Sequence, residues 1–564
     1  MNKIVIKLAL SLFAIAITGF SHGQVNKEIL NWYNVSKAGM QTDKAYKKLK
    51  KRKTTTVIVA IIDSGIDIEH EDLKGKIWTN TAEIAGNGID DDNNGYIDDI
   101  HGWNFLGNKN GENANDMRLE MTRIYAQLSE KENLSDNEKT LLEEVKKAVE
   151  DERAQYEGYL MQMGMMGPMI EAIPSQVAKE LGKEDYTMDD LKKWKAEGDK
   201  AQIKQMAMAI LSGQLSMEAI EKQKEQIQGM LDTHLNKDFN GRALVGDNPD
   251  DFSDVVYGNN DVEGPDALHG THVGGIVGAV RGNELGGDGV ANDILLMSLR
   301  AVPNGDELDK DIALAVRYAV DNGAKVINMS FGKSYSPHQK EVYEAFAYAD
   351  SKGVLMVHAA GNSSKNVDVE PNFPTYKYSF QTEKLDHFLT IGSSTKDSKE
   401  KLASSFSNYG QEGVDVFAPG SEIYNSVPQS DYQILQGTSM ASPMVAGVAA
   451  MLKSYFPEFT MKEIKDVMLS SATSYKGVQQ IHPETKKMTD FATLSVTGGV
   501  INVMNAVKAL KALEKAKGTN DSSQKKAEKP NDTVSEAAPA QKSVSKSHQN
   551  ATPSKNHKHP VSVD

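Results

Sequence analysis

Three residues far apart in the chain have the side chains that acyl transfer needs. Asp63 ends the apolar run Val57-Ile58-Val59-Ala60-Ile61-Ile62. His269 lies in Leu268-His269-Gly270-Thr271-His272, and Ser439 in Gly437-Thr438-Ser439-Met440-Ala441-Ser442-Pro443. A serine hydroxyl is a weak nucleophile; a histidine takes its proton and returns it to the leaving amine, and a buried carboxylate holds the imidazole in the right tautomer. Asn362, in Ala359-Ala360-Gly361-Asn362, adds an amide donor that completes an oxyanion hole with the backbone N–H of Ser439. Each residue alone has a plainer explanation. A strand-end Asp caps the next turn, and a Ser before an apolar run caps a helix. His269 and His272 stand at a spacing that also suits a metal, but no nearby Glu completes a zincin-like pattern.

The flanking sequence indicates how these residues are held. Val57 to Ile62 is β-branched and unbroken, as in a strand buried on both faces of a parallel sheet, which places Asp63 at a carboxyl end. Met444 to Leu452 is apolar nearly all round and reads as a buried helix. Pro443 is placed in its first turn, and Ser439 beside the unpaired N–H groups of its start. Strands are predicted at Ile294–Leu299, Ala324–Gly332, Gly353–Asn362 (ending in a Gly-Asn turn), Phe388–Gly392 and Val414–Ala418, with helices at Asp309–Asn322 and Pro337–Lys352. Strand and helix alternate, which implies right-handed crossovers and a parallel sheet. Residues 107–240 break the pattern. They are rich in Glu, Lys, Gln and Met, carry helical spacing over Lys139–Glu157 and Ser216–Leu231, and read as an inserted helical subdomain. Met161, Met163, Met165, Met166 and Met169, near Gly164, Gly167 and Pro168, are expected to form the core of a helix hairpin.

The chain has 564 residues, a formal net charge of −15 and no cysteine. The charge argues against a nucleic-acid partner, and the absence of Cys excludes disulfides, a thiolate nucleophile and Cys-ligated zinc. Residues 1–23 have the layout of a signal peptide: Lys3 and Lys7, an apolar run from Leu8 to Phe20, then small residues. The expectation is export to the periplasm, cell surface or exterior, with no stable membrane span after cleavage. Asp90, Asp92, Asn94 and Asp98 cluster on a Gly-containing loop and are candidate ligands for a structural Ca²⁺. Counted from Asp90 the loop resembles the first half of an EF-hand but has His101 at the twelfth position. Residues 516–564 are polar and without aromatics, and are expected to be a disordered tail. The peptidase parts are then 24–106 and 241–515.

The blocks around Asp63, His269, Asn362 and Ser439 together resemble the four signatures of the subtilases, the subtilisin-like serine peptidases, and stand in that family's order. The resemblance implies a three-layer α/β/α fold, hydrolysis of protein or peptide substrates through an acyl-enzyme, and calcium dependence in many members. It makes His269 the base and His272 structural. It also assigns the substrate cleft to Ser330-Phe331-Gly332 and Ala359-Ala360-Gly361, whose backbone would pair with an extended peptide and wall the pocket for the side chain before the cut. Two features depart from the family pattern: the long gap between Asp63 and His269, and the roughly thirty residues between the expected leader and the catalytic fold, which look too few for the usual inhibitory pro-domain. The insertion is expected to shield the cleft or to form a docking or dimer surface. The alternative function is a catalytically silent binding or adhesion protein on the same scaffold. An esterase is disfavoured because Ala441 stands where a Gly-X-Ser-X-Gly elbow needs glycine.

Overall fold

The computed structural model describes residues 30–35, 38–213 and 215–527. The expected leader at residues 1–23 and most of the expected tail fall outside them. β1 (Val57–Asp63) is buried along almost its whole length. On one side it pairs in parallel with β3 (Ile294–Arg300), and on the other with β4 (Val326–Met329). With β2 (Gly102–Asn104), β5 (Leu355–Ala359), β6 (Phe388–Ser394), β7 (Val416–Pro419), β10 (Thr473–Ser474) and β13 (Gly499–Val500), these strands form one sheet of order β10-β13-β7-β6-β5-β4-β1-β3-β2. Only the β10–β13 pair is antiparallel.

The alternation of side chains along β1 sorts the core into two layers. Val57, Val59 and Ile61 join a cluster with α8 (Leu268–Gly278) and α11 (Thr438–Tyr455). Ala60 and Ile62 join another with α9 (Asp309–Asp321) and α10 (Gln339–Ser351). Helices cover both faces of a mostly parallel sheet, giving a three-layer α/β/α fold. The short α1 (Trp32–Val35) and α2 (Thr42–Leu49) are part of this body, because Trp32, Tyr33, Ala45 and Leu49 are buried in the α8/α11 layer.

Between β2 and α8 come α3 (Glu120–Glu130), α4 (Asp136–Leu181), α5 (Met188–Lys193), α6 (Asp199–Leu211) and α7 (Met217–Asp232). They pack around an apolar cluster of their own that includes Val145, Ile170, Ile173 and Leu231. α4 starts with a capping box made by Ser135 and Glu138 and continues for 46 residues through Pro168 and Pro174. The methionine stretch therefore lies within one continuous helix rather than a hairpin. Met163 and Met166 are buried, whereas Met161 and Met165 are exposed. α13 (Val503–Ala527) runs past residue 515, where the tail was expected to begin.

In sheet order the chain places β3 on one side of β1 and β4 on the other. A ligand crevice forms where the order reverses, outside the carboxyl ends of the strands. Asp63 ends β1 and Ser330 directly follows β4, so both border that crevice.

Candidate active site

Asp63 is 1% exposed, and its Oδ1 accepts hydrogen bonds from Ser64 N–H at 2.8 Å and from His269 Nδ1 at 2.7 Å. Two glycines let the elements carrying this pair approach. A Cβ on Gly270 would collide with the carbonyl of Gly65, and one on Gly65, at φ +118°, with the carbonyl of Glu263. Burial on its own would make His269 less basic. The charge of Asp63 and its hydrogen bond more than offset this, so the pKa of His269 lies above the ordinary histidine value. Three residues on, His272 is wholly buried and bonds through Nε2 to the carbonyls of Ile423 and Gln433. Burial pushes its pKa down to about 3, so it is a neutral brace between α8 and the hairpin of β8 (Ile423–Val427) and β9 (Asp431–Leu435).

Ser439 is in the first turn of α11. The N-cap is Gly437, with no side-chain cap bond, so Ser439 is not a capping serine. Its Oγ donates to the carbonyl of Ser330 at 3.1 Å, and Ser330 Oγ donates to the carbonyl of Ser439 at 2.9 Å. Asn362 is oriented by its own oxygen, which accepts from Thr438 N–H at 2.9 Å and Thr438 Oγ1 at 3.0 Å. This leaves Nδ2 to face the crevice. A Cβ built on Gly437 would lie 3.5 Å from both Asn362 Nδ2 and Ser439 N, so the two donors border one small space.

Beneath the site runs a buried polar chain. Ser442 Oγ donates to Asn328 Oδ1 at 2.8 Å, and Asn328 Nδ2 donates to Ser330 Oγ at 2.9 Å. Sequence reasoning missed Asn328, Ser442 and Thr438 as positioning residues. The signal was present: Asn328 and Ser330 interrupt an apolar strand two residues apart, on one face. Arg300 was also missed. It is among the largest fully buried side chains of the described residues and ties Ser64 O, Asn104 Oδ1 and Ala114 O behind Asp63.

The two expected cleft segments differ in what they offer. Gly332 has neither backbone N–H nor C=O hydrogen-bonded among the described residues, and Phe331 is nearly buried, its carbonyl held by His358. Ala360 and Gly361 are committed to the fold instead. Ala360 O accepts from Asn408 Nδ2, Gly361 N–H donates to Thr438 Oγ1, and Gly361 O accepts from Asn408 N–H. They can wall a pocket but cannot ladder with a peptide. Between the segments a cleft of about 480 Å³ opens beside Ser439 and Asn362, and Met121 and Glu152 of the inserted helices reach its lining.

In the acidic loop, carboxylate oxygens of Glu83, Asp90 and Asp92 lie within 4.8 Å of one another. Glu83 was not foreseen as a member. Asp98 and Asn94 serve the loop itself. Asp98 accepts from Gly86, Asn87 and Gly88 N–H, and Asn94 Nδ2 donates to Asp92 and Asp99.

The sequence model of the subtilase family matches residues 54–491. The chain belongs to the subtilase family. A thermophilic serine proteinase of Bacillus sp. (strain AK1) is 31% identical over 336 residues, which cover 59% of this chain and 77% of that protein. Thermitase of Thermoactinomyces vulgaris is 39% identical over 187 residues, 33% of this chain and 61% of its own. A solved cold-adapted subtilisin-like serine proteinase matches at 28% identity and a TM-score of 0.33, covering 44% of this chain and 78% of that one. The subtilase is accordingly a hydrolase of the serine-type endopeptidase class. No helix among its described residues is long and apolar enough to cross a membrane.

Proposed function

We propose that this subtilase is exported and cleaves proteins or peptides by a Ser439 acyl-enzyme mechanism. The observation that carries the reading is the 2.7 Å Asp63–His269 contact at the mouth of a crevice where Ser439 N–H and Asn362 Nδ2 face one point. Asp63 fixes the proton on Nδ1, so Nε2 is the basic nitrogen. Attack requires Ser439 Oγ, which donates to Ser330 O in this structure, to turn toward that nitrogen. As Oγ bonds to the substrate carbonyl carbon, its proton passes to Nε2, and the carbonyl oxygen gains charge opposite the two donors. The imidazolium then protonates the departing amine. Water repeats the sequence to release the acid, and Ser439 is restored.

Glu83, Asp90 and Asp92 offer only hard oxygen donors on a tight loop, which fits Ca²⁺. Bound there, the ion would neutralise converging carboxylates and brace the loop, with no part in the chemistry. The apolar run after Lys3 and Lys7 supports export.

The test is labelling of the folded protein by a serine-directed fluorophosphonate, wild type beside Ser439→Ala. The expected result is covalent labelling that requires Ser439. Failure of folded, calcium-loaded wild type to label would overturn the assignment and leave the binding-protein alternative.

A further inference from the structure

The cleft beside Ser439 has an unusual charge balance. One cation, Lys333, stands in its wall, a second, Arg123, shares Glu120 with it, and both are spent inside the protein. Lys333 Nζ is buried; it donates to Glu120 at 2.6 Å and to the carbonyl of Glu307 at 2.9 Å, and it is ion-paired with Asp309 at 2.8 Å. Arg123 is forked onto Glu120 and also donates to the carbonyls of Arg118, Asp306 and Glu307. These two cations are thus matched by the carboxylates of Glu120 and Asp309. Burial pushes the pKa of Glu307 up to about 8 and raises that of Asp306 as well, so this pair carries less than its full charge near neutrality.

Two carboxylates remain, and both line the cleft. Asp306 accepts one hydrogen bond, from Glu120 N–H, at a single oxygen. Glu152, carried to the cleft by α4 of the insertion, makes no hydrogen bond or ion pair among the described residues. Burial, and then the charge of Asp306, hold its pKa above the usual glutamate value. Two half-buried carboxylates facing one cavity, neither of them in an ion pair, are a costly arrangement that a bound cation relieves.

We propose that Glu152 and Asp306 make this cleft a receptor for a lysine or arginine side chain, at the substrate residue whose carbonyl Ser439 attacks. The proposal rests on the peptidase reading above. It gives the insertion a definite task, since without α4 only Asp306 of the pair remains.

The experiment uses internally quenched peptides that differ only at that residue, carrying Lys, Arg, Leu or Glu. kcat/KM is measured for the wild type, Glu152→Gln and Glu152→Lys, with melting curves to establish that each variant is folded. Wild type is expected to favour Lys and Arg over Leu and to reject Glu. In Glu152→Gln the Lys-to-Leu ratio should drop about tenfold, the loss of one charged hydrogen bond, and in Glu152→Lys the Glu peptide should overtake the Lys peptide. A wild type that cleaves Leu as well as Lys, or a ratio that Glu152→Gln leaves unchanged, overturns the pocket assignment and leaves the peptidase reading standing. Absence of both cleavage and fluorophosphonate labelling overturns the two together.

Discussion

Ser330 and Ser439 exchange hydrogen bonds, each hydroxyl donating to the other's carbonyl. The cause is Pro443. It lies in the second turn of α11, not the first, and has no N–H to offer the carbonyl four residues back, which is that of Ser439. Ser330 Oγ supplies the missing donor from β4's end. The proline thus leaves an acceptor through which the nucleophile's helix is tied to the cleft wall. Ser330→Ala is expected to orphan both that carbonyl and Asn328 Nδ2 and to cost about 1–3 kcal/mol. Urea unfolding checks this, and adding Asn328→Leu should recover part of the loss in a double-mutant cycle. Strictly additive losses would show that the chain is not coupled.

Asn362→Ala removes a donor from the point where negative charge develops, and also the oxygen that holds Thr438. kcat is expected to fall by about 10²–10³ with little change in KM, because the bond to Nδ2 forms in the transition state. A rise in KM alone would place Asn362 in ground-state binding.

The pH profile follows from His269. As the proposed base it must be unprotonated, and its pKa is raised above 6.5, so kcat/KM should climb with pH through a midpoint above that value. Asp63→Asn removes the raising charge. It should move the limb to lower pH and reduce the plateau by about 10⁴, since the tautomer is no longer fixed. A limb that stays in place would detach Asp63 from the titration.

Stability depends on other histidines with the opposite sign. His272 and His358 are buried and held to pKa values of about 3 and about 4, chiefly by burial. Their folded values are depressed, so above pH 6.5 they contribute no pH dependence. Below it the unfolded chain takes up protons that the folded chain refuses, and each should cost about 1.4 kcal/mol per pH unit down to its folded pKa. His269, whose pKa is raised, contributes stability below 6.5 that is lost as pH rises through its folded value. Denaturant midpoints at pH 7, 6 and 5 should fall, and His358→Gln should flatten the slope. An unchanged slope would remove His358 from the account.

Calcium removal should lower the melting temperature, and added calcium restore it. At a hundredfold excess over Kd the ion is worth about 2.7 kcal/mol. Asp90→Asn should abolish the calcium response. A response that survives this change would locate the ion elsewhere.

The sequence by itself determined the strand–helix alternation, the apolar β1 and α11, and the four short blocks that carry chemistry. These signals are local: β-branched runs, glycine turns and residue types at fixed spacing. It also marked the helical insertion, because helical periodicity needs no partner to be seen. What it left open depends on side chains from separate segments meeting. Asp63 and His269 are 206 residues apart, and only the close approach permitted by Gly65 and Gly270 brings them to 2.7 Å. Glu83 joins Asp90 and Asp92 only once the loop folds back, while Asp98, equally acidic, stands outside that group and holds the N–H groups of Gly86, Asn87 and Gly88. The commitment of Ala360 and Gly361 to Asn408 and Thr438 could not be read from a strand pattern. Nor could the arrival of Glu152 at the cleft, because a charged residue on an amphipathic helix looks like any solvated face until the fold sets it beside Asp306.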